Sequence, residues 1–246
     1  MIKGQAFVTG GCHKSGDSAK SKEERMVRVA VIGATGYAGA ELVRILSDHP
    51  HVALKCLTSR QYAGRRFDEI YPAMRGWVDL ACTAFDPDSI AAQIDVAFLA
   101  LPHKLPMAIV PELLQRKVKV IDLSADFRFK DAKTYEAHYQ PHSAPELLSK
   151  AVYGLCEVYT DKIRTAELIG NPGCYPTSVL LPLVPLAQAG LIETRPLIAD
   201  AKSGVSGAGR EATLTTHFCQ VNESFKAYKV GTHRHAPEMA AILSEQ

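Results

Sequence analysis

The sequence predicts a doubly wound parallel α/β sheet followed by a partial α+β domain. Three observations carry that expectation. Runs rich in β-branched residues recur without polar alternation, as in strands buried on both faces. Segments with helical apolar spacing separate these runs. Three glycines fall between the first run and the first helical segment, where such sheets make a tight turn.

Val27 to Ile32 is the first buried run. Glycines 33, 36 and 39 follow, then Ala40 to Leu46 places apolar residues at helical spacing until His49-Pro50 ends the helix. Val52 to Leu57 reads as the second strand, and Asp95 to Leu101, stopped by Pro102, as a third. Pro106 to Leu114 reads as a helix and Val118 to Leu123 as another buried strand. Strands alternating with helices imply parallel βαβ units. From Leu168 the character changes. A short strand to Gly170 runs into Asn171-Pro172-Gly173-Cys174, and a helix is expected from Thr177 to Leu186. Pro196 to Lys202 reads as a strand, followed by a loop of small residues from Ser203 to Gly209. The domain boundary is expected near Asn171, giving domains at 26–171 and 172–246.

The chain's 246 residues suffice for one large domain or two modest ones. A net charge of +2, with no basic stripe interleaved with aromatics, argues against a nucleic-acid partner. No apolar run approaches the roughly 18 residues of a membrane span. Cysteines stand at 12, 56, 82, 156, 174 and 219, and none forms a Cys-x-x-Cys pair. That pattern, without a secretory leader, argues for the reducing cytoplasm and against a disulfide framework. Each cysteine is then a small core residue or a nucleophile. Residues 1–25 are expected to form a disordered leader, because Ser15 to Arg25 is highly charged and has no sustained hydrophobic period. Phe7-Val8 is too short for a signal peptide core, and Asp17, Glu23 and Glu24 are out of place in a transit peptide. Met26 directly precedes the first strand and reads as a translational start.

Gly33-Ala34-Thr35-Gly36-Tyr37-Ala38-Gly39 joins the first strand to the first helix. Glycine there allows the turn, a close backbone approach to a pyrophosphate, and packing of helix on sheet. The helix N-terminus adds N–H groups for the anion. The spacing is one residue looser than the NAD fingerprint. The second strand ends in Thr58-Ser59-Arg60, with no acid to take a ribose 2′-hydroxyl. Ser59 and Arg60 suit a 2′-phosphate instead, so the expected cofactor is NADP; a solvated surface arginine is the alternative for Arg60.

Cys174 lies just before the expected helix, where the helix dipole and unpaired N–H groups favour a thiolate. A buried core cysteine is the competing reading. In His233-Arg234-His235, an extended segment from Lys229 onward would put both imidazoles on one face. Pro237 suits the first turn of a following helix, with Glu238 favourable near its N-terminus. A histidine beside a nucleophilic cysteine can shuttle the proton that a thiohemiacetal gains or loses. A His-x-His metal site lacks a third ligand at a supporting spacing, so no metal is expected.

Gly33 to Gly39, Ala125-Asp126-Phe127-Arg128, Tyr153-Gly154-Leu155, Asn171-Pro172-Gly173-Cys174-Tyr175-Pro176-Thr177 and His233-Arg234-His235-Ala236-Pro237-Glu238 together resemble one family. It is the N-acetyl-γ-glutamyl-phosphate reductases of arginine biosynthesis, relatives of aspartate-semialdehyde dehydrogenase. The resemblance runs from Val27 to the end. It implies a Rossmann-type NADP-binding domain, then a substrate and dimerisation domain, and a phosphorylating aldehyde dehydrogenase working reductively. Cys174 would attack the acyl phosphate, expel phosphate and form a thioester, with His233 as general acid and base. Arg128 and His235 would hold substrate carboxylate or phosphate. Ser203, Gly204, Ser206 and Gly207 match a family loop near the nicotinamide. A small-molecule acyl phosphate, phosphate and a homo-oligomer when full length are the implied partners. Ser178 and Cys156 depart from the residues common in the family, and family members continue well past Gln246, so the chain is expected to be a fragment. Three other readings stay open: a carrier-linked reductase of lysine biosynthesis, aspartate-semialdehyde dehydrogenase, and a non-catalytic NADP-binding sensor.

Overall fold

The structure, a computed structural model, describes residues 25–193 and 196–246. The expected leader, with Cys12 and Phe7-Val8, lies outside the described residues apart from Arg25. In chain order the elements are β1 (Val27–Ile32), α1 (Tyr37–Ser47), β2 (Val52–Thr58), α2 (Phe67–Ile70), β3 (Cys82–Thr83), α3 (Pro87–Ala91), β4 (Val96–Leu99) and α4 (Leu105–Gln115). They continue as β5 (Lys119–Asp122), α5 (Ala132–Glu136), β6 (Val152–Tyr153), α6 (Cys156–Thr165), β7 (Leu168–Gly170), α7 (Cys174–Gln188), α8 (Phe218–Val221) and α9 (Ala236–Leu243).

All seven strands pair in parallel, in the order β3-β2-β1-β4-β5-β7-β6. The order reverses between β1 and β4, which opens a crevice at the carboxyl ends of those strands. The sheet is buried on both faces because its strands alternate between two cores. Val29 and Val31 join Val43, Leu46, Leu57 and Phe67 on one side. Ala30 and Ile32 join Leu99, Val110, Leu113, Val120 and Leu168 on the other. This is the period of two expected of a strand, with apolar residues on both faces.

The second half docks onto the β6 end of this sheet. Leu180 and Val184 of α7 and Ile242 of α9 share a buried cluster with Tyr153 and Leu155. Between the two helices the structure departs from expectation. Residues 196–202 form no strand and are exposed. A strand needs a neighbour to take its N–H and C=O groups, and among the described residues no backbone hydrogen bond joins this segment to another. Ile198, Leu214, Phe218, Phe225 and Val230 are exposed as well. Among the described residues no helix is long and apolar enough to cross a membrane.

Candidate active site at the carboxyl edge of the sheet

The glycine turn is built for close approach. Gly33 has φ +87°, and a Cβ there would sit 2.4 Å from the Ala100 carbonyl oxygen at the end of β4. A Cβ on Gly39 would fall 2.3 Å from the Gly33 oxygen, so α1 packs against its own turn. Gly36 precedes the helix with no side-chain cap, leaving the first N–H groups of α1 for an anion. Ser59 is buried at the end of β2, its Oγ 2.8 Å from Thr35 Oγ1. Arg60 is exposed beside it, and Tyr37 is exposed on the first turn of α1. The residues expected to hold the nucleotide phosphates from Gly33 to Arg60 are therefore together, and their donor chemistry fits such a group.

Residues 203–209 keep their hydrogen bonds local, with Ser203 Oγ donating to the Gly204 carbonyl. The residue that ties this loop to the glycine turn is Arg210. Its Nη1 donates to the Thr35 carbonyl at 2.7 Å and to Tyr71 Oη at 3.2 Å. Its guanidinium lies 5.0 Å from the Tyr71 ring centre and 5.6 Å from that of Tyr62. Nothing in the local sequence pointed to this contact, which spans the two halves of the chain.

Cys174 is the first residue of α7 and is exposed. No side chain caps that helix, and its N-cap residue is Gly173. The chain reaches this position through β7 and then a hydrogen bond from Asn171 N to the Asp122 carbonyl at 2.8 Å. A Cβ on Gly173 would lie 2.6 Å from His235 Nε2, so only glycine lets this imidazole pack on the backbone immediately before the cysteine. The His233 and His235 rings are 4.8 Å apart, and the Tyr175 ring stands 5.1 Å from His233 and 6.1 Å from His235. Cys174, His233 and His235 are thus gathered at one place.

They are gathered by a turn, which corrects the expected extended segment. Lys229 and Gly231 take positive φ, at +47° and +69°, and fold the chain back on itself. The His235 N–H then donates to His233 Nδ1 at 3.1 Å, so a neutral His233 carries its proton on Nε2. Burial, with Lys229 and Arg234 nearby, pulls the His233 pKa below its ordinary value. Burial and the charges of Arg128, His233, Arg234 and His103 push His235 down to about 3. Both imidazoles are neutral at neutral pH. His235 Nδ1 is buried and has no hydrogen-bond partner among the described residues, an orphaned polar atom of the sort a bound ligand satisfies. Among the described residues no group of three or more His, Cys, Asp or Glu is placed to hold a metal ion.

Arg128, expected on a substrate anion, is turned inward. Its Nε donates to the Asn171 carbonyl at 2.7 Å, Nη2 to the Leu123 carbonyl at 2.9 Å and Nη1 to Glu238 Oε2 at 3.1 Å. Glu238 is 1% exposed, and its other oxygen accepts from Tyr153 Oη at 2.7 Å and from Gly173 N at 2.9 Å. One carboxylate therefore clamps β6, the N-cap of α7 and Arg128. The sequence suggested only that Glu238 suits the start of its own helix. Beneath the site, Asp122 accepts from Ser124 N and Oγ at 3.0 and 2.6 Å, and burial pushes its carboxyl up to about 7. His103, after β4, accepts from Ala125 N at 3.0 Å, and burial with Arg234 and Arg128 lowers it to about 4. Its place past the end of a switch-point strand was the signal that would have singled it out.

Both halves of the chain are similar to known proteins. The family model described as semialdehyde dehydrogenase, NAD binding domain, matches residues 28–166, and the one described as semialdehyde dehydrogenase, dimerisation domain, matches 174–246. The chain is 60% identical to N-acetyl-gamma-glutamyl-phosphate reductase of Desulforapulum autotrophicum over 89% of its own length. It is 57% identical to the protein of that name from Syntrophobacter fumaroxidans, again over 89% of the chain. In both comparisons it spans 64% of the relative's length. Among solved structures, aspartate semialdehyde dehydrogenase II from Vibrio cholerae, complexed with ASA, aligns with a TM-score of 0.51 at 20% identity. That alignment covers 67% of this chain and 47% of the other. Aspartate semialdehyde dehydrogenase with NADP from Candida albicans aligns at 0.50 and 18% identity, over 68% and 48%. These two show the fold alone. With the nucleotide-binding model matched over more than half of its residues, the chain belongs to the semialdehyde dehydrogenase family.

Proposed function

We propose that this chain carries the nucleotide-binding and catalytic machinery of an NADPH-dependent N-acetyl-γ-glutamyl-phosphate reductase. The observation that supports it most is an exposed cysteine opening an uncapped helix, with two neutral imidazoles folded against it. The curated relatives bearing that name supply the substrate.

In this reading Cys174 Sγ attacks the acyl carbon of N-acetylglutamyl 5-phosphate. The carbon–oxygen bond to the phosphoryl group breaks, phosphate leaves with the electron pair, and a thioester remains. When bound, NADPH supplies the hydride that takes the thioester to a thiohemiacetal. His233 donates a hydrogen bond from Nε2–H to the new oxyanion and keeps hold of that oxygen as the carbon–sulfur bond breaks and the carbonyl re-forms. N-Acetylglutamate 5-semialdehyde departs and the Cys174 thiolate is restored. His235 offers its orphaned Nδ1 to a substrate oxygen, with the charge of Arg128 behind it.

The backbone from Gly33 to Gly39, including Thr35, Gly36 and Tyr37, would hold the pyrophosphate. Ser59 and Arg60 would take the 2′-phosphate, which selects NADP over NAD. Ser203, Gly204, Ser206 and Gly207 would lie near the nicotinamide, with Arg210 anchoring their loop. The exposed apolar side chains past residue 196, in a segment matched to a dimerisation domain, fit a homo-oligomer formed by the full-length protein. We place it in the cytoplasm, with domains dividing near Asn171.

The test is phosphate-dependent reduction of NADP⁺ by N-acetylglutamate 5-semialdehyde, with the chain extended to the length of its relatives. Cys174→Ser should abolish turnover and leave NADPH binding intact. Substantial turnover in that variant would end the covalent mechanism.

A further inference from the structure

The turn that delivers His233 delivers a second side chain with it. Tyr228 is 50% exposed, so burial alone does not fix its place. Its ring nevertheless stands 5.5 Å from His233 and 6.4 Å from Tyr175. Tyr228 Oη donates to Tyr175 Oη at 3.0 Å and lies 3.4 Å from His233 Nε2. Lys229, the next residue, adopts the left-handed backbone that a side-chain-bearing residue seldom takes. That strained step is what turns the phenol back toward the imidazole.

The donors and acceptors run one way. His233 Nδ1 is occupied as an acceptor of the His235 N–H. The proton of the neutral ring is therefore on Nε2, and the atom it faces is Tyr228 Oη. Tyr228 spends its own proton on Tyr175, which leaves lone pairs on Oη for the imidazole. We propose that Tyr228 is a positioning residue that holds the His233 ring, through Nε2–H, in the tautomer and orientation that serve Cys174. The proposal rests on the reading of His233 as the group that serves the chemistry at Cys174 through its Nε2–H. At 3.4 Å the contact is longer than the usual 2.7–3.2 Å range. It orients the ring without competing strongly with the substrate oxygen that accepts from Nε2–H during turnover.

The groups facing His233 are Tyr175 from α7, and Tyr228, Lys229, Arg234 and His235 from its own segment. Lys229 and Arg234 oppose its protonation. The Nε2–H bond to Tyr228 favours the charged ring, because a charged donor bonds more strongly. Tyr228→Phe keeps the ring at a half-exposed position and removes only the oxygen. In ¹⁵N spectra of the chain, His233 should show one dominant Nε2–H tautomer. Tyr228→Phe should lower its pKa by about half a unit or more and mix the tautomers. The pH profile of Cys174 alkylation, resolved by peptide mass spectrometry from exposed Cys156 and Cys219, should move with it. Circular dichroism should be unchanged. An unaltered His233 titration and tautomer in Tyr228→Phe overturns the positioning role and leaves the reading of His233 standing. If His233→Ala leaves the Cys174 profile unchanged, that reading fails, and the role of Tyr228 fails with it.

Discussion

Replacing Glu238 by Ala removes the acceptor of three hydrogen bonds at once, and the structure sets the size of the loss. The carboxylate is 1% exposed and pairs with buried Arg128 at 3.1 Å. Deleting one partner of a buried ion pair costs about 3–5 kcal/mol, because the other charge is left unpaired. Tyr153 Oη and Gly173 N lose their acceptor as well, and an orphaned buried donor costs about 1–3 kcal/mol. The three share one carboxylate, so the losses do not add in full, and about 4–6 kcal/mol is expected for Glu238→Ala. Such a loss approaches the whole stability of a typical domain, about 5–15 kcal/mol. Glu238→Gln keeps an oxygen for Tyr153 and Gly173 but leaves the Arg128 charge unpaired with an amide N–H facing it, for an expected cost of about 3–5 kcal/mol. Urea unfolding followed by circular dichroism measures both; the single Trp77, 67% exposed, is a weak fluorescence reporter. A loss below about 1 kcal/mol for either variant would refute the clamp.

Two further outcomes follow from the other buried and exposed charges. Arg60→Ala should weaken NADPH binding by roughly 1.5–3 kcal/mol and leave NADH binding nearly unchanged, as expected for one charge-assisted bond; isothermal titration with both nucleotides checks this, and equal losses would remove Arg60 from the 2′-phosphate. Asp122 keeps its proton up to about pH 7 when folded, against an ordinary 3.8. A raised folded pKa contributes stability that is complete below pH 3.8 and is lost as pH rises through 7. Asp122→Asn should therefore gain roughly 2–4 kcal/mol relative to the parent between pH 4 and pH 8, read from urea midpoints at the two values. The same difference at both would show that the carboxyl is already ionised in the fold.

What the sequence disclosed and what it withheld divide along physical lines. Strands buried on both faces announce themselves as apolar runs, so β1, β2, β4, β5 and the short β7 stand within a residue or two of expectation. β3 and β6 have two residues each, too few to show any period. α7 begins at Cys174 and not at Thr177, because Pro176 is tolerated in a first turn, where its missing N–H would be unpaired anyway. Residues 196–202 carry apolar side chains, but a strand is a property of two segments, and one alone cannot reveal its partner. The same limit hid Arg210 on the Thr35 carbonyl and Glu238 on Gly173 N. Those contacts join residues far apart in the chain, and no local pattern encodes them. Cys174 and His233 stand out as candidates in the sequence because each sits beside a backbone feature with its own signature, a glycine before a helix and a proline opening the next one. Tyr228 has no such neighbour.

The direct measurement is intact-protein and peptide mass spectrometry of the chain mixed with N-acetylglutamyl 5-phosphate in the absence of reduced nucleotide. An acyl adduct should appear on the Cys174 peptide, be released by hydroxylamine as a thioester is, and be absent from Cys174→Ser. An adduct on another cysteine, or phosphate release with Cys174 never acylated, would contradict the covalent chemistry assigned to this sulfur.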